Sequence, residues 1–489
     1  VTSPTALRPD ETRSHRGDRR AWWGLAVLVL PVLLVSMDMS VLYLALPAIT
    51  ADLDPSASEQ LWILDAYGFL IAGLLITMGS LGDRIGRRRI LLLGASLFGL
   101  ASVIAAFAPT SALLIAARAL MGIGGATLLP SSLSLITDLF ADPRARGRAI
   151  GVWTAFFAGG AAVGPIIGGV LLHHFWWGSV FLINVPVLLV LLLAAPALLP
   201  ERRVASGSPL DLASVVMSVV GIMAAVYAVK HVAEYGLDAV TLITGAVGVG
   251  LIVAFVRRQR TLTVPLVDLS LLANREFTVA IGSSLAGMMS LAAFSYLSSI
   301  YLQSVTGRDP LAAAYLGVPL AVTVFASSMY GSRIAERLGV STTFVASLVL
   351  AALGSLMLLG VGVDGGVAWY VAGSAVAGLG YGTVFTLVSE VAVGSVPEEQ
   401  TGAAVGVSET SFELGNALGL ALLGSLAAWI FAAGGDFAPT LGETLESGAG
   451  AGVIDAAKQS FVDGMHLATA IGAGLMLLMA VLAARSRRR

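Results

Sequence analysis

The sequence predicts an all-α membrane protein of fourteen transmembrane helices, built as two six-helix halves with two further helices inserted between them. Three observations carry this. Hydrophobic residues make up 57% of the 489-residue chain and charged residues 12%, whereas soluble domains carry about 25% charged residues. Apolar runs near the ~20 residues needed to cross a hydrocarbon core recur fourteen times. Arginines collect in every second connection, as expected when those connections stay on the cytoplasmic side.

In order, the runs are 21–48, 59–81, 89–108, 111–137, 147–172, 177–199, 210–231, 239–256, 276–304, 311–332, 341–362, 367–394, 402–432 and 463–484. The first twenty residues are polar and Arg-rich. The run after them is too long for the core of a cleaved signal peptide, so it is expected to stay as the first span. With that tail inside, the inner connections hold Arg84, Arg87, Arg88 and Arg89, then Arg144, Arg146 and Arg148. Arg202 and Arg203, Arg257 to Arg275, Arg333 and Arg337, and finally Arg485 to Arg489 follow. The opposite connections carry mainly acids, including Asp52, Asp54, Glu234, Asp238, Glu443, Glu446 and Asp455, with Lys230, Arg308 and Lys458 as basic exceptions.

The expected organisation is an N-terminal tail (1–20), a first half (21–200), the inserted pair (201–260), a second half (261–484) and a C-terminal tail (485–489). Segment 433–462 is the longest outer loop, either a hairpin with a short helix or a linker. Two internal likenesses argue for the halves. Gly82-Asp-Arg-Ile-Gly86 follows the second run and Ala335-Glu-Arg-Leu-Gly339 follows the tenth, while Gly122-Ile-Gly124 has a counterpart in Gly378-Leu-Gly380. Parallel repeats of this kind build many secondary transporters.

Several function classes drop out. The chain has no Cys, so disulfides and thiolate metal sites are excluded. Its two lysines, Lys230 and Lys458, do not follow Gly, so no Walker A loop exists to cradle ATP phosphates. Neither His-Glu-x-x-His nor a Gly-x-Ser-x-Gly elbow occurs. The expectation is no enzyme, no metal, no cofactor and no nucleic-acid partner. A non-transporting receptor would not need acids inside the spans of both halves.

Those acids are the most informative residues. Asp38 lies inside the first run, where a carboxylate costs roughly 2.5–3.5 kcal/mol on insertion scales and is usually kept for function. Asp65, Glu390, Glu409 and Glu413 occupy comparable segments. Trp62, Asp65 and Phe69 fall at i, i+3 and i+7 on one helix face, and a carboxylate flanked by aromatics suits an organic cation. Glu409 and Glu413 are four apart, so their protonation is coupled. Arg118, inside the fourth run, needs an acidic or carbonyl partner unless it snorkels to the interface. Asp38 with Arg118 is the preferred proton-coupling pair, joined by Glu409 and Glu413. Asp65 and Glu413 are the preferred cation contacts. Asp65 near the outer surface, or Glu390 near the inner end, would instead be solvated or structural. Tyr67, Tyr381, Phe385 and Phe412 are candidates to line the cavity, or ordinary packing residues. The histidines His173, His174, His231 and His466 read as interface residues.

Three motifs complete the reading. Gly79-Ser-Leu-Gly-Asp83-Arg84-Ile-Gly86-Arg87-Arg88-Arg89 resembles the signature gating loop of the major facilitator superfamily. Gly160-Ala-Ala-Val-Gly164-Pro165-Ile-Ile-Gly168-Gly169 puts small residues at helix-packing spacing and resembles the antiporter motif of the drug:proton exporters within it. Asp38 to Pro47, Leu61-Trp-Ile-Leu-Asp65-Ala-Tyr67, Trp177 to Pro186 and Glu409-Thr-Ser-Phe-Glu413 are similar to the fourteen-helix Qac/Smv-type multidrug exporters. Ser40 and Tyr43 stand where the wider family has Thr and Asn, and Met121 where the helix-4 motif has Gln. The resemblance implies the major facilitator fold and a proton-coupling role for Arg118. It also implies alternating-access efflux of lipophilic cations such as quaternary ammonium antiseptics, dyes and viologens from the bacterial inner membrane. The expected partners are cationic drugs, protons and lipid, with the chain a monomer and both termini cytoplasmic. The alternative is a dedicated exporter of one self-made antibiotic or metabolite.

Overall fold

The structure, a computed structural model, describes residues 11–201, 211–262, 265, 269–396 and 401–486. Readings placed on residues 1–10, Arg202, Arg203 and residues 487–489, and on the side chains of Asp83, Arg144, Lys230 and Glu234, lie outside the described residues.

Each of the fourteen apolar runs is helical. The first five are α1 (Glu11–Leu53), α2 (Ala57–Ile85), α3 (Arg87–Ala106), α4 (Ser111–Leu139) and α5 (Pro143–His174). The sixth is split into α6 (Ser179–Leu182) and α7 (Asn184–Leu198), and the inserted pair is α8 (Leu212–Tyr235) and α9 (Ala239–Gln259). Then come α10 (Arg275–Ile300), α11 (Pro310–Leu338), α12 (Val340–Leu356) and α13 (Val367–Gly394). The thirteenth run divides into α14 (Thr401–Leu418) and α15 (Ser425–Ala433) around a π-helical turn, Gly419–Gly424. A short α16 (Leu441–Glu446) precedes α17 (Ala451–Ser486).

Among the described residues, twelve helical stretches are long and apolar enough to cross a membrane. The second and fifth runs are not among them, although α2 and α5 are 29 and 32 residues long and packed in the bundle. The apolar part of α5 alone is the shorter Val163–His174.

Local chemistry sets the boundaries. Ser56 and Glu59 form a reciprocal capping box at the start of α2, satisfying two orphan donors. Asp142 before Pro143 and Asp309 before Pro310 cap α5 and α11, with proline in the first turn where its missing N–H costs nothing. Gly86 (φ 119°) and Gly339 (φ 86°) make the sharp turns from α2 to α3 and from α11 to α12, in conformations that L side chains rarely adopt. One element differs from the sequence reading. Helix α1 already begins at Glu11, so half of the expected tail is helical. Segment 433–462 holds a short helix, α16, as one of its two readings expects, and the first turns of α17 extend into it as well.

Packing repeats itself along the chain. Helix α1 packs on α5 and α7, α2 on α4, and α3 on α4 and α7; in the same pattern α10 packs on α14 and α17, α11 on α13, and α12 on α13 and α17. The glycine pairs occupy matching places. Gly122 abuts the Tyr67 carbonyl on α2 and Gly124 the Gly94 carbonyl on α3; Gly378 abuts the Leu320 carbonyl on α11 and Gly380 the Ser347 carbonyl on α12. Without a hydrophobic drive between helices in lipid, such close backbone approach supplies the van der Waals contact. The two groups meet along α5–α11 and α2–α14, and α8 leans on the second seam, with Val226 and Ile222 against Phe69, Ala417 and Ala421.

Candidate functional site

Helices α1, α5, α10, α11, α13 and α14 enclose a central cavity of about 190 Å³. Its wall is mostly apolar, with polar groups from α1 (Ser36, Ser40, Tyr43), α10 (Ser295, Ser299) and α14 (Glu413, Asn416). Such a site, apolar with a few placed polar groups, is the usual form of a small-molecule pocket. Glu413 is 4% exposed, and its Oε2 has no hydrogen-bond partner among the described residues. A buried acceptor left unsatisfied carries a desolvation cost of about 1–3 kcal/mol, more if charged, so this oxygen is the part of the wall most responsive to a proton or cation. Glu409 lies one turn earlier on the same helix and is half-buried.

Beside the cavity, Arg118 is fully buried, and its guanidinium donates to the Asp38 carboxylate. Nε donates to the Ile63 carbonyl at 3.0 Å, and the guanidinium lies 4.4 Å above the Tyr67 ring centroid. Asp38 is itself buried, at 5% exposure. A permanently charged guanidinium cannot shed its proton to escape burial. The anion, the carbonyl and the ring face together replace its lost water. Asp65 is also buried, within electrostatic reach of Tyr43 and Tyr296.

The other sequence candidates scatter. Phe412 is on the cavity wall, and Phe385 packs behind it with ring centroids 5.0 Å apart. Tyr67 serves Arg118 and packs on Phe98 instead of facing the cavity. Tyr381 is fully buried between Ser290 and Ser355, at 2.8 and 3.0 Å. Trp62 and Phe69 face α8, Trp62 lying 6.4 Å from Tyr227, and Phe69 is buried against Val226. Glu390 is exposed on the last turns of α13 and accepts a hydrogen bond from Ser332. It is twenty residues from Tyr370, the α13 residue on the cavity wall, which is about 30 Å of helix. Trp62, Tyr67, Phe69, Tyr381, Phe385 and Glu390 thus do not line this cavity. Helical periodicity finds a buried face but does not say which buried face borders a void. Sequence reasoning missed Ser36, Asn416 and Tyr370; small polar residues in a span give little signal by themselves.

The glycine motifs act through contact. On α5, an added Cβ at Gly160 would meet the Leu33 carbonyl at 2.6 Å, and one at Gly164 would meet Ser40 Oγ at 2.1 Å. Gly168 abuts Val41 on α1, Gly169 abuts Ala314 on α11, and Pro165 is on the cavity wall. At the α2–α3 motif, Gly79 packs against Pro130 of α4. Arg87 pairs with Asp138 at 3.0 Å, and Arg88 donates to the Leu199 carbonyl at 2.9 Å. Arg84 is half-buried at the end of α2.

Comparison with known proteins agrees with this architecture. The family model of the Major Facilitator Superfamily matches residues 28–420. The chain is 40% identical to the multidrug efflux pump LfrA of Mycolicibacterium smegmatis, over 98% of both chains. It is 34% identical to the methyl viologen resistance protein SmvA of Salmonella typhimurium, over 94% of this chain and 97% of that one. Among solved structures, a bacterial homologue of the human lysosomal transporter Spinster, in an inward-facing and unoccupied conformation, superposes with a TM-score of 0.66. That match has 18% identity and covers 96% of this chain and 98% of the other. Family model, relatives and fold agree that the chain belongs to the major facilitator superfamily.

Proposed function

We propose that this chain is a proton-coupled multidrug efflux antiporter that exports lipophilic cations across the bacterial cytoplasmic membrane by alternating access. The observation that carries the reading is Glu413. This buried carboxylate has an oxygen with no hydrogen-bond partner among the described residues, on the wall of an apolar, aromatic-bordered cavity, and it shares Tyr67 as an electrostatic neighbour with the Asp38–Arg118 pair. An organic cation gains charge pairing there without needing small hydrated ligands. The names of LfrA and SmvA, a multidrug pump and a viologen resistance protein, support the substrate class.

In the proposed cycle, protons and drug alternately neutralise the same cavity. Glu413 and Glu409 hold protons until a cation displaces them. Asp38 exchanges a proton, which leaves Arg118 the neutral Ile63 carbonyl and Tyr67 face until the carboxylate is restored. Rocking of the two six-helix halves, 21–200 and 261–484, then exposes the cavity to either side, and the repeated packing pattern supports that division. The arginine-rich end is taken as cytoplasmic, and the chain as a monomer. Moving one net charge adds about 2.3 kcal/mol per 100 mV of membrane potential.

The test is ethidium transport driven by an imposed pH gradient in proteoliposomes, comparing the native chain with Asp38→Asn and Asp65→Asn. Gradient-driven transport that disappears in Asp38→Asn supports antiport. A correctly folded native chain that moves no ethidium under any gradient sinks the multidrug reading and favours a dedicated exporter.

A further inference from the structure

A second chamber, of about 540 Å³, lies at the arginine-poor end, walled by α1, α10, α15 and α16. The same stretches of α1 and α10 border both voids. On α1, Tyr43 and Leu44 face the central cavity while Leu46 and Pro47 face the end chamber. On α10, Ser295 and Ser299 face the cavity while Tyr296 and Ile300 face the chamber.

Between the two voids stand two rings. Tyr43 and Tyr296 are each 7% exposed and meet edge to face, with centroids 6.3 Å apart. They come from α1 and α10, which occupy matching places in the repeated packing pattern. Their crossing is pinned by Ser299 Oγ, which donates to the Tyr43 carbonyl at 2.9 Å and accepts from Gln303 Nε2 at 3.0 Å.

We infer that the Tyr43–Tyr296 pair is the gate between the central cavity and the end chamber, and that its ring contact closes the path a cation takes between them. What passes the gate rests on the efflux reading; the barrier itself does not. Opening needs only that one ring leave the other, by a rotamer change or by rocking of α1 against α10. Each ring face then becomes free for cation–π contact with the passing organic cation.

The native absence of Cys allows a substrate-free test in proteoliposomes. Ser295→Cys reports on the central cavity and Ser304→Cys, on the chamber wall, reports on the end chamber. A membrane-impermeant methanethiosulfonate reagent is added on the side that labels Ser304→Cys. With the native tyrosines, Ser295→Cys should label much more slowly than Ser304→Cys. With Tyr43→Ala and Tyr296→Ala together, that difference should vanish, while the paired Phe variants should keep it because the rings remain. A cooperative thermal melt of the alanine variant, matching that of the native chain, shows that it has folded. Equal rates with the native tyrosines, or a difference that survives the paired alanines in a folded protein, would overturn the gate. Neither result depends on whether the chain exports drugs.

Discussion

Neutralising Asp38 should be unusually costly, and removing its partner as well should recover much of the loss. The side chains of Arg118 and Asp38 are 1% and 2% exposed, so neither charge has water to fall back on. In Asp38→Asn the guanidinium keeps the Ile63 carbonyl at 3.0 Å and the Tyr67 face at 4.4 Å, both neutral. Breaking a buried pair by removing one partner costs about 3–5 kcal/mol, mostly for the stranded charge. Replacing both partners with apolar groups of similar volume is often neutral. Asp38→Asn should therefore lower unfolding free energy by about 3–5 kcal/mol, and adding Arg118→Met should return at least about 2 kcal/mol of that loss. Equilibrium unfolding in detergent micelles, followed by the fluorescence of the eight tryptophans, reads both quantities. A cost for Asp38→Asn below about 1 kcal/mol, the range of an exposed pair, or strict additivity in the double variant would refute the reasoning.

Three further outcomes follow from single contacts. Gly164→Ala should destabilise by about 1–3 kcal/mol through overpacking, since its Cβ would meet Ser40 Oγ at 2.1 Å; Gly159→Ala, with nothing within 4 Å, should change little. Thermal melts of the two variants check the pair. At the arginine-rich end, Arg258 binds Asp211 through two nitrogens at 2.7 and 2.8 Å. Hydrogen bonds first from Arg258 and then from Ser214 hold the Asp211 carboxyl well below its ordinary value of 3.8. A depressed folded value means the contribution is complete above 3.8 and is lost as pH falls below it toward that lower value. Hydrogen exchange in the first turn of α8 should therefore accelerate over that acid range in the native chain, and should show no such acid step in Asp211→Asn. Finally, Glu390→Gln should leave the KM for ethidium unchanged, because Glu390 is exposed and remote from the cavity; a large rise in KM would return it to the substrate path.

Hydropathy and arginine placement located the apolar runs well, because the cost of burying an unpaired backbone or charge in lipid leaves few alternatives. Breaks inside the runs were invisible. The α6–α7 break and the π-helical turn at 419–424 arise from packing against neighbours, in segments as apolar as any other. In the site, a buried Arg and a buried Asp announced a need for partners, and residue chemistry alone made the pairing of Arg118 with Asp38 worth considering. The aromatic candidates illustrate the limit. Tyr67, Tyr381 and Phe69 have the right face and the right depth, yet neighbouring helices fill the space in front of them. Tyr43 was legible only as a departure from a motif. Its position between two voids follows from the crossing of α1 with α10, more than 250 residues apart in the chain.

The central claim is that a cation displaces a proton from Glu413, the buried carboxylate on the cavity wall. It is tested most directly by adding ethidium to the purified protein in lightly buffered detergent solution and following a pH indicator. The account predicts proton release that saturates with binding and is diminished in Glu413→Gln. Saturable ethidium binding with no proton release at any pH would contradict it.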